Sequence, residues 1–297
     1  MNQAHNFVHL RLHSEYSLVD GLVRIKPLVK KVAALGMPAV AVTDHVNLFA
    51  SVKFQKAAMA AGIKPIMGAD ILVRRQAGDK ASLLTLLIQN AEGYKNLVEI
   101  ISTAYLQGQE MGLPLCTFET VAQHAAGLIA LSGGAVGEVG QALLAGQFDE
   151  AQQFLASWQT IFPQRYYLEI SRTGRAQDER HVHAVVDLAS RCHCPVVASN
   201  DVRFLEKEQF GAHETRVCIG EGRVLDDQSR PRLYSDQQYL RSPEEMIALF
   251  ADLPEAIINT VEIAKRCSFS LVLGKNYLPN YPVPAGKSLE NYFSELA

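Results

Sequence analysis

Long apolar runs are missing from this sequence. The uninterrupted ones are short, such as Leu86-Leu87-Ile88, far below the stretch of about 20 residues that crosses a bilayer as a helix. Cysteine is scarce: there are five, an odd number without framework spacing. That excludes a disulfide scaffold and points to free thiols in a reducing cytoplasm. The opening MNQAHNF has no apolar core of the kind a secretion signal carries. A basic excess is lacking too, since 28 Lys and Arg face 31 Asp and Glu for a net charge of −3. A domain that grips nucleic acid by itself usually carries such an excess, so any such contact here is local or made by another part of a larger assembly. Internal repeats and low-complexity segments are absent. What is present is a 48% hydrophobic, 20% charged chain of 297 residues, enough for one large α/β barrel or two ordinary domains.

Strand-like and helix-like patterns alternate along the chain. Strands are expected at 8–13, 39–43, 65–73, 83–88, 128–131, 166–170 and 195–199. Helices are expected at 25–35, 52–61, 94–105, 117–125, 138–144, 149–161 and 178–191. This rhythm predicts parallel strands joined by helical crossovers, closed into a barrel. Beyond about residue 205 the rhythm breaks. A helical stretch at 206–218 leads into a polar, Arg-rich loop at 223–233. Ser242-Pro243-Glu244-Glu245 reads as a capping box that opens a helix, and 255–267 as another. The segment 277–286 holds Pro279, Pro282 and Pro284 and reads as a semi-rigid linker. The helix begun at Ser288 stops with the sequence, which predicts a fragment cut from a longer chain. The expected division is a barrel with helical extension over 1–270 and, over 271–297, a linker with the start of a next domain.

In a β/α barrel, the loops after the strands meet at one face and carry the chemistry. His9, Arg11 and His13 alternate, which on a regular strand places them on one face. A His-x-His pair there makes a metal clamp, but this chain has Arg11 in the first place, and a guanidinium has no lone pair to give. Asp20 follows in the loop. Thr43-Asp44-His45, Asp70, Leu83, Ser132-Gly133-Gly134 and Asn200-Asp201-Val202-Arg203 stand at the ends or starts of the other strands. Histidines and aspartates converging from separate strand ends are how metallo-hydrolases hold cations that activate water.

The stretches HLRLHSEYSLVDG, AVTDH, IKPIMGAD and VVASNDVRF, with LRSPEEM and PEAIINTVEIAKRC farther on, resemble the polymerase and histidinol phosphatase (PHP) domain family. Within it they are most similar to the branch at the N-terminus of bacterial DNA polymerase III alpha subunits. The resemblance implies a distorted seven-stranded (β/α)7 barrel whose active members hydrolyse phosphoesters with bound metals. His13, Asp20, His45 and Asp201 match the family's ligand pattern. Asp70 stands where the family usually has Glu. Arg11 and Arg203 stand where it has His, Leu83 where a strand-borne His is expected, and Gly134 where a Cys or His is expected. Two guanidiniums at metal positions repel a divalent cation and can neutralise Asp20, Asp70 and Asp201 instead.

The resemblance therefore implies a vestigial cluster, with no catalytic residue and no cofactor in this domain. It implies a role in bracing a DNA-directed DNA polymerase and docking its proofreading exonuclease subunit. The parent would use Mg²⁺, assemble with other polymerase III holoenzyme subunits and meet primer-template DNA through its polymerase module. The rival reading is a residual phosphoesterase or 3′–5′ exonuclease in which His13, Asp20, His45, Asp70 and Asp201 hold Zn²⁺ or Mn²⁺. Four further features have structural readings. Cys192-His193-Cys194 points its side chains apart and lacks a second zinc-spaced pair. The Gly134-x-x-Gly137-x-x-Gly140 turn reads as close packing rather than a phosphate cradle. His181 and His183 read as surface residues. Arg216, Arg223, Arg230 and Arg232, with Tyr234 and Tyr239, read equally as a contact for DNA or the next domain and as a solvated loop.

Overall fold

The computed structural model describes residues 7–76, 78–276 and 281–297. The first of the linker prolines, Pro279, lies outside the described residues. The elements in chain order are α1 (Ile25–Ala34), β1 (Ala39–His45), α2 (Ser51–Ala60), β2 (Lys64–Arg74), β3 (Ser82–Ile88), α3 (Ala91–Gln107), β4 (Gln109–Glu110), β5 (Leu113–Thr117), α4 (Phe118–Gln123) and β6 (Leu128–Leu131). They continue with α5 (Glu138–Leu144), α6 (Phe148–Ile161), β7 (Tyr166–Ser171), α7 (Asp178–Cys192), β8 (Val196–Ser199), α8 (Phe210–Glu221), α9 (Pro243–Leu249), α10 (Pro254–Arg266) and α11 (Leu289–Leu296).

The sheet runs β1-β2-β3-β6-β7-β8, with the β4–β5 hairpin joined to the outer end of β2. The N-terminal segment closes the ring. On one side Ala41 N–H donates to His9 O at 2.8 Å and Thr43 N–H to Leu12 O at 2.9 Å. On the other, His13 N–H donates to Val202 O at 3.0 Å and Val202 N–H to Arg11 O at 3.3 Å. The staves are thus the N-terminal segment, β1, β2, β3, β6, β7 and β8, as the barrel reading expects.

Three expectations are corrected. The strands are not all parallel: β3 runs antiparallel to both β2 and β6, because residues 75–81 are shorter than the dozen or so that a crossover needs. The β4–β5 hairpin was not foreseen. Met111 and Gly112 both take positive φ, at 52° and 81°, the two-residue turn that suits a hairpin's twist. Finally, residues 8–13 are not a regular strand. The three residue steps from His9 to Leu12 oppose the two from Ala41 to Thr43, which is a β-bulge. His9 therefore leaves the face that Arg11 and His13 share. Its ring stands edge-on to Phe7, its Nε2 pairs with Arg241 O at 2.9 Å, and burial pulls its pKa down to about 4.

Inward positions recur every second residue along the staves, and they form two layers. The lower layer is apolar: Val8, Leu10, Ala39, Ala41, Ile66, Leu87, Ile129, Leu131, Tyr167 and Val197 pack with Ile263 and Ala264 of α10 and with Cys267 just after it. Helix α10 is the stopper of that end, fixed by Lys64 Nζ donating to Ala264 O and Arg266 to the Tyr167 hydroxyl. The outward positions pack under the surrounding helices in a larger core around Phe54, Trp158 and Phe162. The upper inward layer, at the C-terminal ends of the parallel strands, is polar. After β8 the chain forms a 3-10 turn at Lys207–Gln209 and α8, where one helix was expected over 206–218. Ser242 and Glu245 form the expected capping box of α9.

Candidate functional site

The upper layer is built around three inward carboxylates on different staves: Asp70 on β2, Glu169 on β7 and Asp201 just past β8. Two arginines are threaded between them. Arg11 Nε donates to Asp70 Oδ2 at 2.7 Å, while its Nη1 and Nη2 lie 3.5 Å from Glu169 Oε1 and 3.3 Å from Asp201 Oδ1. Arg203 Nη2 donates to Asp201 Oδ1 at 2.6 Å, and Nη1 to Asp20 Oδ2 at 2.8 Å while lying against His13 Nδ1. His13 Nδ1 faces Asp20 Oδ1 at 2.8 Å, and its Nε2 faces Asp70 Oδ2 at 2.9 Å. Thr85, inward on β3, donates to Asp70 Oδ1 at 2.6 Å. Arg11, His13, Asp70, Glu169 and Arg203 are each 4% exposed or less.

Burial disfavours every charge here, and the pairing decides which charges persist. Desolvation opposes ionisation of Asp70, but Arg11 and His13 hold its carboxyl well below the usual carboxylate range. Asp20 is likewise held low, burial being outweighed by His13. His13 is raised well above 6.5: desolvation pulls it down, and Asp20 and Asp70 pull it up by more. Glu169 goes the other way. Burial raises it, Arg11 opposes only in part, and its Oε2 is buried without a hydrogen-bond partner among the described residues.

Of the sequence-predicted residues, Arg11, His13, Asp20, Asp70, Asp201 and Arg203 are brought together. His45 stands at the rim, its ring centroid 6.4 Å from that of His13, with its pKa lowered by burial and by His13. Leu83 is inward on β3, two residues before Thr85, and puts a methyl-bearing side chain at the mouth. Gly134 stands at φ +58°, and a Cβ there would lie 4.0 Å from Glu169 Oε2. The rest of that turn is close packing: a Cβ on Gly137 would fall 1.6 Å from Ser132 O, and one on Gly140 2.1 Å from Gly134 O. Asp44 faces away from the cluster and anchors the loop after His13, accepting from Ser14 N, Ser14 Oγ and Ser17 Oγ at 2.7 Å each.

Sequence reasoning missed Glu169, Thr85, Arg175 and Gln238. Glu169 had a signal, a lone acid inside the apolar strand Tyr-Tyr-Leu-Glu-Ile. Arg175 and Gln238 come from loops that no periodicity places, and they meet Asp201 Oδ2 at 3.3 and 2.9 Å. The Arg-rich stretch is mostly paired internally. Arg230 is buried against Glu214 at 2.6 Å, Arg223 pairs with Asp227, and the Tyr234 hydroxyl donates to Asp20 Oδ2 at 3.2 Å. His181 is a correction: it is buried beside Gly140, and burial pulls its pKa down to about 4, whereas His183 is exposed. Cys192 and Cys194 are free thiols on either side of His193, which takes a left-handed φ of 51°.

As arranged, the cluster does not fit a divalent cation. The oxygens of Asp20, Asp70 and Asp201 already accept from guanidinium, imidazole, hydroxyl or amide groups, and Glu169 Oε2 alone in the cluster has no partner among the described residues. Among the described residues no three His, Cys, Asp or Glu side chains are grouped to hold a metal.

The model of one family, the PHP domain, matches residues 9–173, more than half of the chain. The chain belongs to the PHP domain family. Curated relatives extend that likeness to nearly the whole PHP chain. It is 58% identical over 288 residues to DNA polymerase III subunit alpha of Pseudomonas aeruginosa and 50% identical over 292 residues to that of Escherichia coli, covering 97% and 98% of this chain. It spans about a quarter of the length of each relative. A solved amidohydrolase from Chromobacterium violaceum superposes with a TM-score of 0.44 at 13% identity, over 66% of this chain and 87% of that one. Among the described residues no helix is long and apolar enough to cross a membrane.

Proposed function

We propose that this PHP domain is a non-catalytic part of a replicative DNA polymerase III alpha subunit, in which an ion-pair network stands where active relatives hold metals. One observation carries the reading: both Arg11 and Arg203 point inward, each bridging two or more carboxylates at the mouth. A positive charge fixed there repels a cation and removes the acidic surplus that would attract one. The domain's work is then mechanical. It braces the polymerase and offers a surface to the proofreading exonuclease subunit and other holoenzyme subunits, in the cytoplasm. Nucleotidyl transfer and Mg²⁺ belong to the parent chain, which also carries the main contacts with primer-template DNA. The domain boundary falls near Leu271, whose backbone still pairs both ways with the side chain of Gln55.

Equilibrium dialysis of the chain against Zn²⁺ and Mn²⁺ tests this. The wild type is expected to take up no stoichiometric ion at micromolar concentrations. The variant Arg11→His, Arg203→His, Leu83→His, Gly134→His is expected to gain affinity. Tight binding by the wild type, with hydrolysis of a model phosphodiester, would establish the residual phosphoesterase instead. The five residues carrying it would be His13, Asp20, His45, Asp70 and Asp201.

A further inference from the structure

The sheet is open on one face where it projects past the barrel mouth. Beyond Asp70 the burial of β2 alternates, with Ile71 and Val73 buried and Leu72 and Arg74 half-buried. Strand β5 repeats the pattern: Pro114 and Cys116 are buried, Leu115 is half-buried, and Leu113 and Thr117 are exposed. So does the start of β3, where buried Ser82 and Leu84 flank half-buried Leu83. The buried face lies under α3, since Ile71, Val73, Leu84 and Cys116 share one core with Ile100 and Ala104. The register sets the other residues side by side. Leu72 is paired with Leu83 on one side and with Leu115 on the other, and directly paired residues point to the same face. Leu113 lies on that face two residues before Leu115, opposite Glu110 of β4.

A sheet covered on one side ordinarily turns polar residues to water on the other. Here the open face carries four leucines. Leu113 is 50% exposed, and Met111, at the hairpin tip beside it, is fully exposed. An exposed apolar patch of this kind marks a protein contact. The charges on the face, Arg74 and Glu110, pair with each other, so nothing on it draws a phosphate backbone. The ground beside it is acidic. From Asn96 to Gln164 the sequence has six acids and no Lys or Arg. Glu119 stands exposed in the first turn of α4, two residues past Thr117. Size limits the occupant further. Leu83, Leu72 and Leu115 on three neighbouring strands span about 10 Å, the breadth of one helix. That is far short of the roughly 800 Å² per partner that a stable dimer buries, so a second copy does not match the face.

From this juxtaposition we infer that the open face of β2, β3 and β5 is a docking site for a short amphipathic helix of a partner protein. Its aliphatic stripe would cover Leu72, Leu83, Leu113 and Leu115, and its Lys- or Arg-rich flank would lie on the acidic side, toward Glu110 and Glu119. Such a helix supplies the layer that α3 supplies on the opposite face. The occupant's chemistry follows from complementarity, apolar against apolar and basic against acidic. The inference rests on the projecting end of the sheet and is independent of the reading of the ion-pair network.

The test is fluorescence anisotropy of the whole chain with four labelled probes. They are a helical peptide with Leu at i, i+3, i+4 and i+7 and Lys on its other face, the same helix with Glu for Lys, a scrambled form of the first, and a 20-base-pair duplex. The first peptide is expected to bind saturably and at least about tenfold more tightly than either other peptide. Its affinity should fall about tenfold or more in Met111→Asn, Leu113→Thr and in Leu115→Thr. It should stay unchanged in Ile258→Ser, an exposed residue of α10 at the barrel's other end. Asn-Gly suits the left-handed turn at 111–112 and Thr suits a strand, and an unchanged melting temperature verifies folding. If Leu115→Thr does not fold, the hairpin variant decides alone. Absence of saturable binding, equal binding of the scrambled or the acidic peptide, full affinity in the hairpin variant, or equal loss in Ile258→Ser would overturn the proposal. Tighter binding of the duplex would assign the contact to nucleic acid and overturn it equally.

Discussion

Arg11 is the side chain on which the mouth turns. Three buried carboxylates from three staves lie within 3.5 Å of its guanidinium, and no other cation reaches Glu169 among the ion pairs of the described residues. Replacing it with alanine leaves buried charge unpaired, which in comparable sites costs about 3–5 kcal/mol. Arg11→Ala should therefore lose that much in denaturant unfolding. Arg11→Lys should recover only part of it, because an ammonium cannot fork between three acids. If Arg11→Ala unfolds like the wild type, the network is not what holds the mouth. His13 gives the site a pH signature. Its folded pKa lies above the unfolded 6.5, so its contribution is complete below about pH 6.5 and fades as pH rises through the folded value. Asp20 and Asp70, held below 3.8, contribute above that pH and fade as pH falls through their folded values. His9, His45, His181 and His213 are lowered by burial and tilt stability the other way below pH 6.5. The difference in melting temperature between wild type and His13→Gln isolates the effect, and it should shrink from pH 6 to pH 10. A constant difference would mean that His13 is neutral throughout.

At the scale of the element, the segment 223–241 is a strap across the mouth. Gln238 donates to both Oδ2 and O of Asp201, Asn200 Nδ2 to Gln237 O and Tyr239 O, and Tyr234 to Asp20, while the Arg203 guanidinium lies over the Tyr234 ring. The buried Arg230–Glu214 pair ties the strap's start to α8. Glu214→Gln should speed amide hydrogen exchange in 225–238 by about tenfold or more while leaving β1 and β2 unchanged. Uniform acceleration would show that the strap opens only with the whole barrel. None of this was legible from composition, which marked the stretch only as basic and aromatic. The strap makes contacts through amides and backbone carbonyls far apart in sequence, and no period announces them. The helices and most staves were legible, because burial on one side imprints a period of 3.6 or 2. The bulge at His9–Leu12 was not, because one inserted residue changes the facing of His9 and leaves the alternation His-x-Arg-x-His unaltered in the sequence.

At the scale of the molecule, the closed barrel and much of the candidate site were legible, but the particular contacts that close the ring were not. Arg11 and Arg203 could be read as misfits among ligands, but the ring that brings Arg11 beside Asp201 depends on contacts across nearly 200 residues. The N-terminal segment pairs with β1 on one side and with Val202 on the other, and α10 returns from beyond residue 250 to fill the barrel's lower end. The last contacts to be made in sequence are thus part of the innermost core. Such a barrel should not lose its stopper separately from its staves. Ile263→Ala, fully buried against the lower layer, should cost about 2–5 kcal/mol. That loss should appear at one midpoint in two probes, one in a different core cluster from Ile263 and one global. The first is the fluorescence of Trp158, the sole tryptophan, which is stacked with Tyr166 and edge-on to Phe118 in the outer core and hydrogen-bonded to Glu138. The second is far-ultraviolet circular dichroism, which reports the helices as a whole. If the tryptophan transition stays where it was while the helical signal moves, α10 is an appended element and the lower layer is stable without it. If both move together, the apolar floor and the charged mouth are two layers of one cooperative unit. A partner bound anywhere on its surface would then stabilise all of it.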